Sequence, residues 1–197
     1  VFQRSFKRAG LPLTHTHGFN PRPSVSIALP MSVGIESRCE LLDFELDGAS
    51  VSFAQITEKL NEALVDGIRV LSTGEAARKI KDISFLSCKV VLEYDSGVPM
   101  GAAEKIRELF SRQQLIVPKK SKNGIQDQDI IPMIRRVDVQ NDTDHTLCIE
   151  AMVCCQNPSL NPMQLVSAIS LHLPECKPDF SRCFRQEIFD KNEEVFR

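Results

Sequence analysis

The chain has 197 residues, of which 42% are hydrophobic and 25% are charged, and its formal net charge is −2. This is the composition of an ordinary globular protein of one large or two small domains, and the net charge does not mark the whole chain as a nucleic-acid binder. No apolar run approaches the roughly 18 residues of a membrane span, and no signal peptide is visible, which predicts an intracellular protein that does not bind membranes.

Charge is distributed unevenly along the sequence. Residues 1–23 contain four cations and no acid and so carry +4, whereas residues 36–66 contain eight acids and two cations and carry −6. This asymmetry allows a local positive field at the front of a slightly acidic protein.

Five elements are predicted in the first part of the chain. The spacing of apolar residues indicates a helix, two strands, a second helix and a closing strand, at residues 1–10, 24–30, 39–48, 52–64 and 67–76. Ile27 is expected on the inner face of the first strand. Ser52 is the expected N-cap of the second helix, and Phe53 is expected on its apolar stripe.

The second part of the chain repeats a mixed order of elements. Strand, helix, strand, strand, helix and strand are predicted at residues 85–95, 100–113, 114–118, 146–155, 161–173 and 183–190. This is the βαββαβ order of a ferredoxin-like unit. The sequence therefore predicts an α+β protein of two tandem ferredoxin-like units with antiparallel sheets. The units are residues 1–78, without a first strand, and residues 84–190, with a polar basic insertion at residues 119–144 and a linker at residues 76–83.

Residues 11–37 form the most distinctive segment, with four of the eleven prolines and two of the four histidines. Pro21 and Pro23 fix their own φ angles and favour extended conformations at the residues before them, and Gly18 allows a turn that other residues resist. Residues 18–23 are therefore predicted to form a stiff, surface-facing turn. A rigid connection without further function is the alternative.

Cations around this segment suggest an anionic partner. Helical spacing places Arg4, Lys7 and Arg8 on one face of the first helix, beside Arg22 of the turn. A phenylalanine in the turn can stack on a base, although burial beneath the loop is at least as consistent with its residue type. The candidate nucleic-acid-binding residues are Arg4, Lys7, Arg8, Phe19, Asn20, Arg22, Lys119, Lys120 and Lys122.

His15 and His17 point the same way if their segment is extended. Zinc requires three or four ligands, and no acid or cysteine lies near them in sequence. A histidine pair in a basic setting is also a candidate for metal-independent cleavage of RNA, although the sequence does not show the partner groups that this chemistry needs.

The seven cysteines show no CxxC spacing, and several lie in apolar runs. They are interpreted as buried, reduced thiols that bind no metal, in a reducing compartment. Glycine-rich nucleotide loops, the nucleophile elbow and the HExxH zinc motif do not occur in the sequence.

The front of the chain resembles the DUF2344 family, a family of uncharacterised domains linked to radical-SAM proteins. The sequence follows that family's approximate pattern "RAGLP…GFNP.P..S.A.PL..G.ES" at residues 8–12, 18–21, 23, 26, 28–30, 34 and 36–37. A later segment is similar to the family's "KGK…DIRPLI" at residues 120, 122, 129, 130 and 132–134. The similarity thus spans most of the chain.

This resemblance implies an accessory role. Members of the family carry the domain alone or behind a radical-SAM region with a cobalamin-type domain, and they usually begin with a strand that is not visible here. No cofactor site is expected in this chain. An iron–sulfur cluster and SAM are expected only in a radical-SAM catalytic region, fused or in a partner, and the compartment is expected to be the cytoplasm or a plastid.

Three functions are compatible with these observations. The first is a non-catalytic module that recognises RNA or a ribonucleoprotein for a radical-SAM enzyme. The second is a protein-docking module that uses the acidic strand at residues 40–47 and open sheet edges. The third is a metal-independent endoribonuclease that uses His15 or His17.

Overall fold

A computed structural model describes residues 1–48, 51–121 and 124–197 of the chain. Helices and strands alternate in mixed order, so the predicted α+β class is confirmed. The helices are α1 (Phe2–Arg8), α2 (Phe53–Ala63), α3 (Ala102–Phe110) and α4 (Met163–His172). The strands are β1 (Val25–Ile27), β2 (Ile35–Ser37), β3 (Leu42–Phe44), β4 (Ile83–Glu93), β5 (Ile116–Ser121), β6 (Gly124–Asp129), β7 (Ile134–Thr143), β8 (Thr146–Cys154) and β9 (Phe180–Asp190). None of the helices among the described residues has the length and apolar character needed to cross a membrane.

Contacts divide the described residues into two units. The first unit comprises residues 1–30 and 40–78 together with Arg197, and the second comprises residues 31–39 and 79–196. The sequence predicted residues 31–39 in the first unit. They join the second because β2 pairs in parallel with β9, and Ile35 is buried in the second unit's core.

The first unit is a small sheet covered by two helices. Strands β1 and β3 are antiparallel, and their apolar side chains pack against α1 and α2. The core of this unit is built around Phe6, Leu11, Ile56 and Leu60. The rings of Phe6 and Phe44 lie 4.8 Å apart between centroids, which joins α1 to β3.

Capping fixes the start of α2, as predicted. The Ser52 hydroxyl accepts a hydrogen bond from the Gln55 amide at 3.3 Å, and the Gln55 side chain accepts one from the Ser52 amide at 3.1 Å. This reciprocal capping box satisfies amides that the first helical turn leaves without partners.

Two inward-facing predictions are wrong. Ile27 is 38% exposed because β1 is only three residues long and ends there, and Phe53 is 49% exposed at the first residue of α2. Ile27 and Phe53 each fit the apolar spacing of their element, but each lies at an end of that element where it no longer covers the core.

The predicted closing strand at residues 67–76 is also wrong, since these residues form no strand. The side chain of Asn61 on α2 donates to the Val70 carbonyl at 3.0 Å and accepts from the Val70 amide at 2.8 Å. Thr57 and Thr73 share a hydrogen bond of 2.8 Å between their hydroxyls. The Asn61 side chain therefore satisfies backbone groups of Val70 that a neighbouring strand would otherwise satisfy.

The second unit contains a five-stranded sheet in the order β2, β9, β4, β8, β7. Strand β4 is antiparallel to both β8 and β9, and β8 is antiparallel to β7. Alternate residues of β4 and β8, such as Val90 and Ile149, are buried with Ile106 of α3 and Ile169 of α4. The two helices therefore cover the same face of this sheet.

The strand next to β8 at the edge of this sheet is β7, although the second strand of this unit was predicted at residues 114–118. That segment contributes to β5, which pairs with β6 in a separate two-stranded sheet. The predicted insertion at residues 119–144 consequently contains β6 and β7. Val137 and Val139 alternate with exposed polar residues along β7, which is the period of a half-buried strand.

Candidate nucleic-acid interface

The segment between α1 and β1 folds back on itself as an antiparallel pairing of residues 14–24, called here the front hairpin. The Thr16 amide donates to the Arg22 carbonyl at 2.8 Å, and the Ser24 amide donates to the Thr14 carbonyl at 2.8 Å. The Arg22 amide also donates to the Thr16 hydroxyl at 3.0 Å. These bonds close the hairpin just below its tip, residues 17–21.

The tip presents polar and aromatic side chains to solvent. Phe19 is 101% exposed, and His17, Asn20 and Arg22 are also exposed. Gly18 has a φ of 146°, a conformation that favours glycine. The structure therefore places Phe19 at the surface. The sequence had left burial beneath the loop open as the alternative.

Two of the three cations on α1 are available to a ligand. Arg4 and Lys7 are exposed, and within the described part of the chain their side chains make no hydrogen bond or ion pair. Arg8 differs, because its guanidinium donates to the Ala63 carbonyl at the end of α2 and to the Ser5 hydroxyl at 3.3 Å. Arg8 therefore joins the two helices.

Arg4 is one of the residues that line a shallow depression of about 400 Å³. Other residues that line this depression belong to the start of α1 or lie in and near β1. They include Phe2, Val25, Ile27 and Pro30. The exposed Ile27 thus belongs to the same surface as Arg4.

Acidic residues occupy the other face of the small sheet. Leu42 and Phe44 pack into the core beneath the helices, so the alternating Asp43 and Glu45, both exposed, point away from the helices. The Glu45 carboxylate accepts a hydrogen bond from the Thr14 hydroxyl at 3.0 Å. The first unit therefore presents exposed cations on α1 and acids on the sheet face that points away from the helices, while α2 adds the exposed Glu58, Lys59 and Glu62.

The lysines predicted near residue 120 belong to the second unit. Lys119 is on β5, and its ammonium donates to the Ser159 carbonyl at 3.2 Å. The side chain of Lys120 and the whole of Lys122 lie outside what the structure describes. Lys119 therefore has a structural contact within the second unit.

The two histidines of the front hairpin are exposed. His15 lies opposite Pro23 in the hairpin pairing, and neither His15 nor His17 forms a side-chain hydrogen bond among the described residues. No described group orients either ring as a general base would require. The remaining histidines have structural contacts, with 2.8 Å bonds from His145 to the Tyr94 carbonyl and from His172 to the Ile116 carbonyl.

All seven cysteines are free thiols, and most are buried. Burial raises the pKa of Cys155 to about 12. A hydrogen bond between Cys88 and Cys183 raises the pKa of Cys88 and lowers that of Cys183. Within the described ranges, no three of the histidine, cysteine, aspartate and glutamate side chains form a group that could hold a metal ion.

Sequence reasoning missed two surface features. Arg135 and Arg136 on β7 both pair with Glu193, a contact that was missed because these two cations were interpreted as part of a basic insertion. Val33 is 106% exposed in the segment that leads into β2. The glycine that follows, Gly34, was the sequence signal for a turn that exposes Val33. Its φ is 87° in the structure.

Comparison with known proteins identifies the family of this chain. No curated protein matches the sequence. The model of the family DUF2344, described as an uncharacterized protein conserved in bacteria, matches residues 1–162. This range includes the front hairpin, both helices of the first unit and most of the second unit. The chain belongs to the DUF2344 family.

Proposed function

We propose that this chain is a non-catalytic recognition module that binds RNA or a ribonucleoprotein through its first unit. The observation that carries the proposal is the fully exposed Phe19 at the tip of the front hairpin. An isolated aromatic ring held in water on a closed hairpin gains nothing from folding, because it buries no apolar area. It gains free energy by stacking on a ligand, and nucleic-acid bases are common ligands of such rings.

Cations in the same unit supply the phosphate contacts in this proposal. Arg22 follows the hairpin tip, and Arg4 and Lys7 are exposed on α1 without side-chain partners among the described residues. Three such contacts give moderate affinity and a binding constant that falls with salt. The acids on the opposite sheet face would repel a phosphate backbone from that side.

The fold proposed for this function is two tandem ferredoxin-like units. Support comes from the second unit, whose strands β9, β4, β8 and β7 lie in the antiparallel order of a βαββαβ unit, with α3 and α4 as its helices. For the first unit, the support is a sheet covered on one face by two helices.

We further propose that the module serves a radical-SAM enzyme, in the same polypeptide or in a partner, inside a reducing compartment such as the cytoplasm or a plastid. This part rests on the resemblance to the family. The iron–sulfur cluster and SAM would be supplied by that catalytic region, and the buried free thiols of this chain suit a reducing environment.

The test is RNA binding at two salt concentrations. The wild type should bind structured RNA more weakly at the higher salt, and the triple variant Arg4→Ala, Lys7→Ala, Arg22→Ala should show a salt slope lower by roughly three. The matched control removes the same charge from exposed positions of the second unit, Arg112→Ala, Lys177→Ala and Lys191→Ala. Absence of salt-dependent binding by the wild type, or equal loss in both variants, would overturn the proposal.

The second candidate is a protein-docking module, which the exposed Asp43 and Glu45 on the open sheet face favour. A basic protein surface would bind there. Substitution of both acids by their amides should weaken capture of the radical-SAM region in that case and leave RNA affinity unchanged or slightly raised. Cleavage of the RNA during the titration without added metal would instead favour the endoribonuclease at His15 and His17.

A further inference from the structure

The tip of the front hairpin is built to hold one aromatic ring away from the protein. Hydrogen bonds between Thr16 and Arg22 close the hairpin directly below the tip. Pro21 fixes its own φ within the tip, and the residue before it is restricted as well. The ring of Phe19 is 101% exposed, so both of its faces are accessible to a flat ligand.

From this geometry we infer that the front hairpin binds an unpaired base, so that the RNA recognised is single-stranded or carries a bulge or loop at this point. The inference rests on the proposed function and specifies its substrate. In a continuous duplex each base is stacked on both sides, and a protruding ring finds no free face. Unpaired bases can be splayed out and stacked on aromatic side chains.

Asn20, the residue after Phe19, can form hydrogen bonds with the edge of an unpaired base. Asn20 is exposed, and its side-chain amide forms no hydrogen bond among the described residues. An amide offers both donors and an acceptor, which is what the edge of an unpaired base requires. A base stacked on Phe19 would place its edge beside this amide.

The exposed charges of the first unit indicate the path that a bound RNA strand would take. Arg4 and Lys7 lie on the helical side, whereas Asp43 and Glu45 lie on the open sheet face. The phosphates that follow the stacked base should therefore run along α1. The exposed cations then neutralise phosphates while the acids keep the strand off the opposite face.

The chain contains no tryptophan, which makes a direct test possible. The variant Phe19→Trp carries a single reporter at the tip, and a stacked base should quench its fluorescence. The probes are a single-stranded RNA of about 12 nucleotides, a blunt duplex of the same sequence, and that duplex with one bulged nucleotide. Quenching is expected with the single strand and the bulged duplex and not with the blunt duplex. Phe180→Trp, at a side chain 60% exposed in the second unit, is the matched reporter and should not be quenched.

Affinity measurements with Phe19→Ala complete the test. Loss of one stacking contact should weaken binding of the single strand by between about 5-fold and about 100-fold and leave binding of the blunt duplex unchanged. Equal salt-dependent binding of all three probes, or quenching by the blunt duplex, would overturn this inference and leave the proposed function standing. Binding of none of the probes would overturn both and favour a protein partner.

Discussion

At the scale of single residues, the neighbouring cations Lys7 and Arg8 on α1 have different surroundings. Arg8 connects α1 to α2 through the Ala63 carbonyl, whereas Lys7 extends into solvent. We expect Arg8→Ala to lower the free energy of unfolding by about 1 kcal/mol, since a charged donor to a backbone carbonyl is lost. Lys7→Ala should change it by less than about 0.5 kcal/mol. Urea denaturation of both variants measures the difference.

RNA binding should show the reverse order for the same pair of variants. Lys7→Ala is expected to reduce the salt slope of binding by about one, and Arg8→Ala to leave it unchanged, because only Lys7 is free to contact a phosphate. Equal slopes for the two variants would show that the contact with Ala63 does not withdraw Arg8 from the ligand.

The half-buried thiol of Cys155 and the buried hydroxyl of Tyr94 are expected to make stability sensitive to alkaline pH. Burial raises the pKa of Cys155 from 9.0 to about 12 and also raises that of Tyr94. The unfolded chain releases these protons first. The stabilisation is therefore complete below about pH 9 and is lost as the pH rises toward the folded-state values.

The free energy of unfolding should accordingly fall between pH 9 and pH 11, by less than about 1.4 kcal/mol per pH unit for each group. Cys155→Ser removes one titrating thiol and should give a shallower decline in urea titrations across this range. An identical decline in wild type and variant would assign the effect to other groups.

At the scale of elements, Asn61 replaces the sheet partner that residues 67–76 lack. Its side chain makes both a donor and an acceptor bond to Val70. We expect Asn61→Ala to cost about 1 to 3 kcal/mol, because both Val70 groups lose their partner. Asn61→Asp keeps the acceptor but turns a carboxylate oxygen toward the Val70 carbonyl, so it should not restore the stability of the wild type. A tryptophan at Phe53, which is half exposed on α2, reports unfolding of this unit in urea.

Elements with a strong apolar period were predictable from the sequence, whereas β2 and β7 were not. Strand β4 and helix α3 were predicted because their apolar residues recur regularly over nine or more positions. Strand β2 has three residues, and its partner β9 lies nearly 150 positions later, so no local pattern indicates it. Strand β7 was missed because polar residues dominate its exposed face.

The candidate site was predictable in part. Prolines and a glycine indicated a stiff turn at residues 18–23, and charge indicated the cations. The exposure of Phe19 was not predictable, because a phenylalanine in a loop is buried as often as it is exposed. The hydrogen bond of Arg8 to Ala63 was not predictable, because it depends on the position of the end of α2 in the folded unit. Helical spacing within α1 carries no information on that position.

At the scale of the whole molecule, the two units differ in the size of their cores. The buried core of the first unit is built from Phe6, Leu11, Ile56 and Leu60 with partly buried neighbours. The core of the second unit draws buried residues from β4, β7, β8, α3 and α4. Because burial of apolar area is the main source of stability, the first unit should open at a lower free energy. The front hairpin is therefore expected to lie in the less stable unit.

Native-state hydrogen exchange tests this asymmetry and the assignment of residues 31–39 together. The Arg38 amide donates to the Arg185 carbonyl of β9, so it should exchange with the slow amides of the second unit. The amides of Ala28 and Glu45, bonded to Leu41 and Ser24 in the first unit, should exchange faster. Arg38 is thus expected to be more protected than bonded amides on either side of it in sequence. If instead it exchanges at their rate, residues 31–39 open with the first unit, and the pairing of β2 with β9 is too weak to hold them.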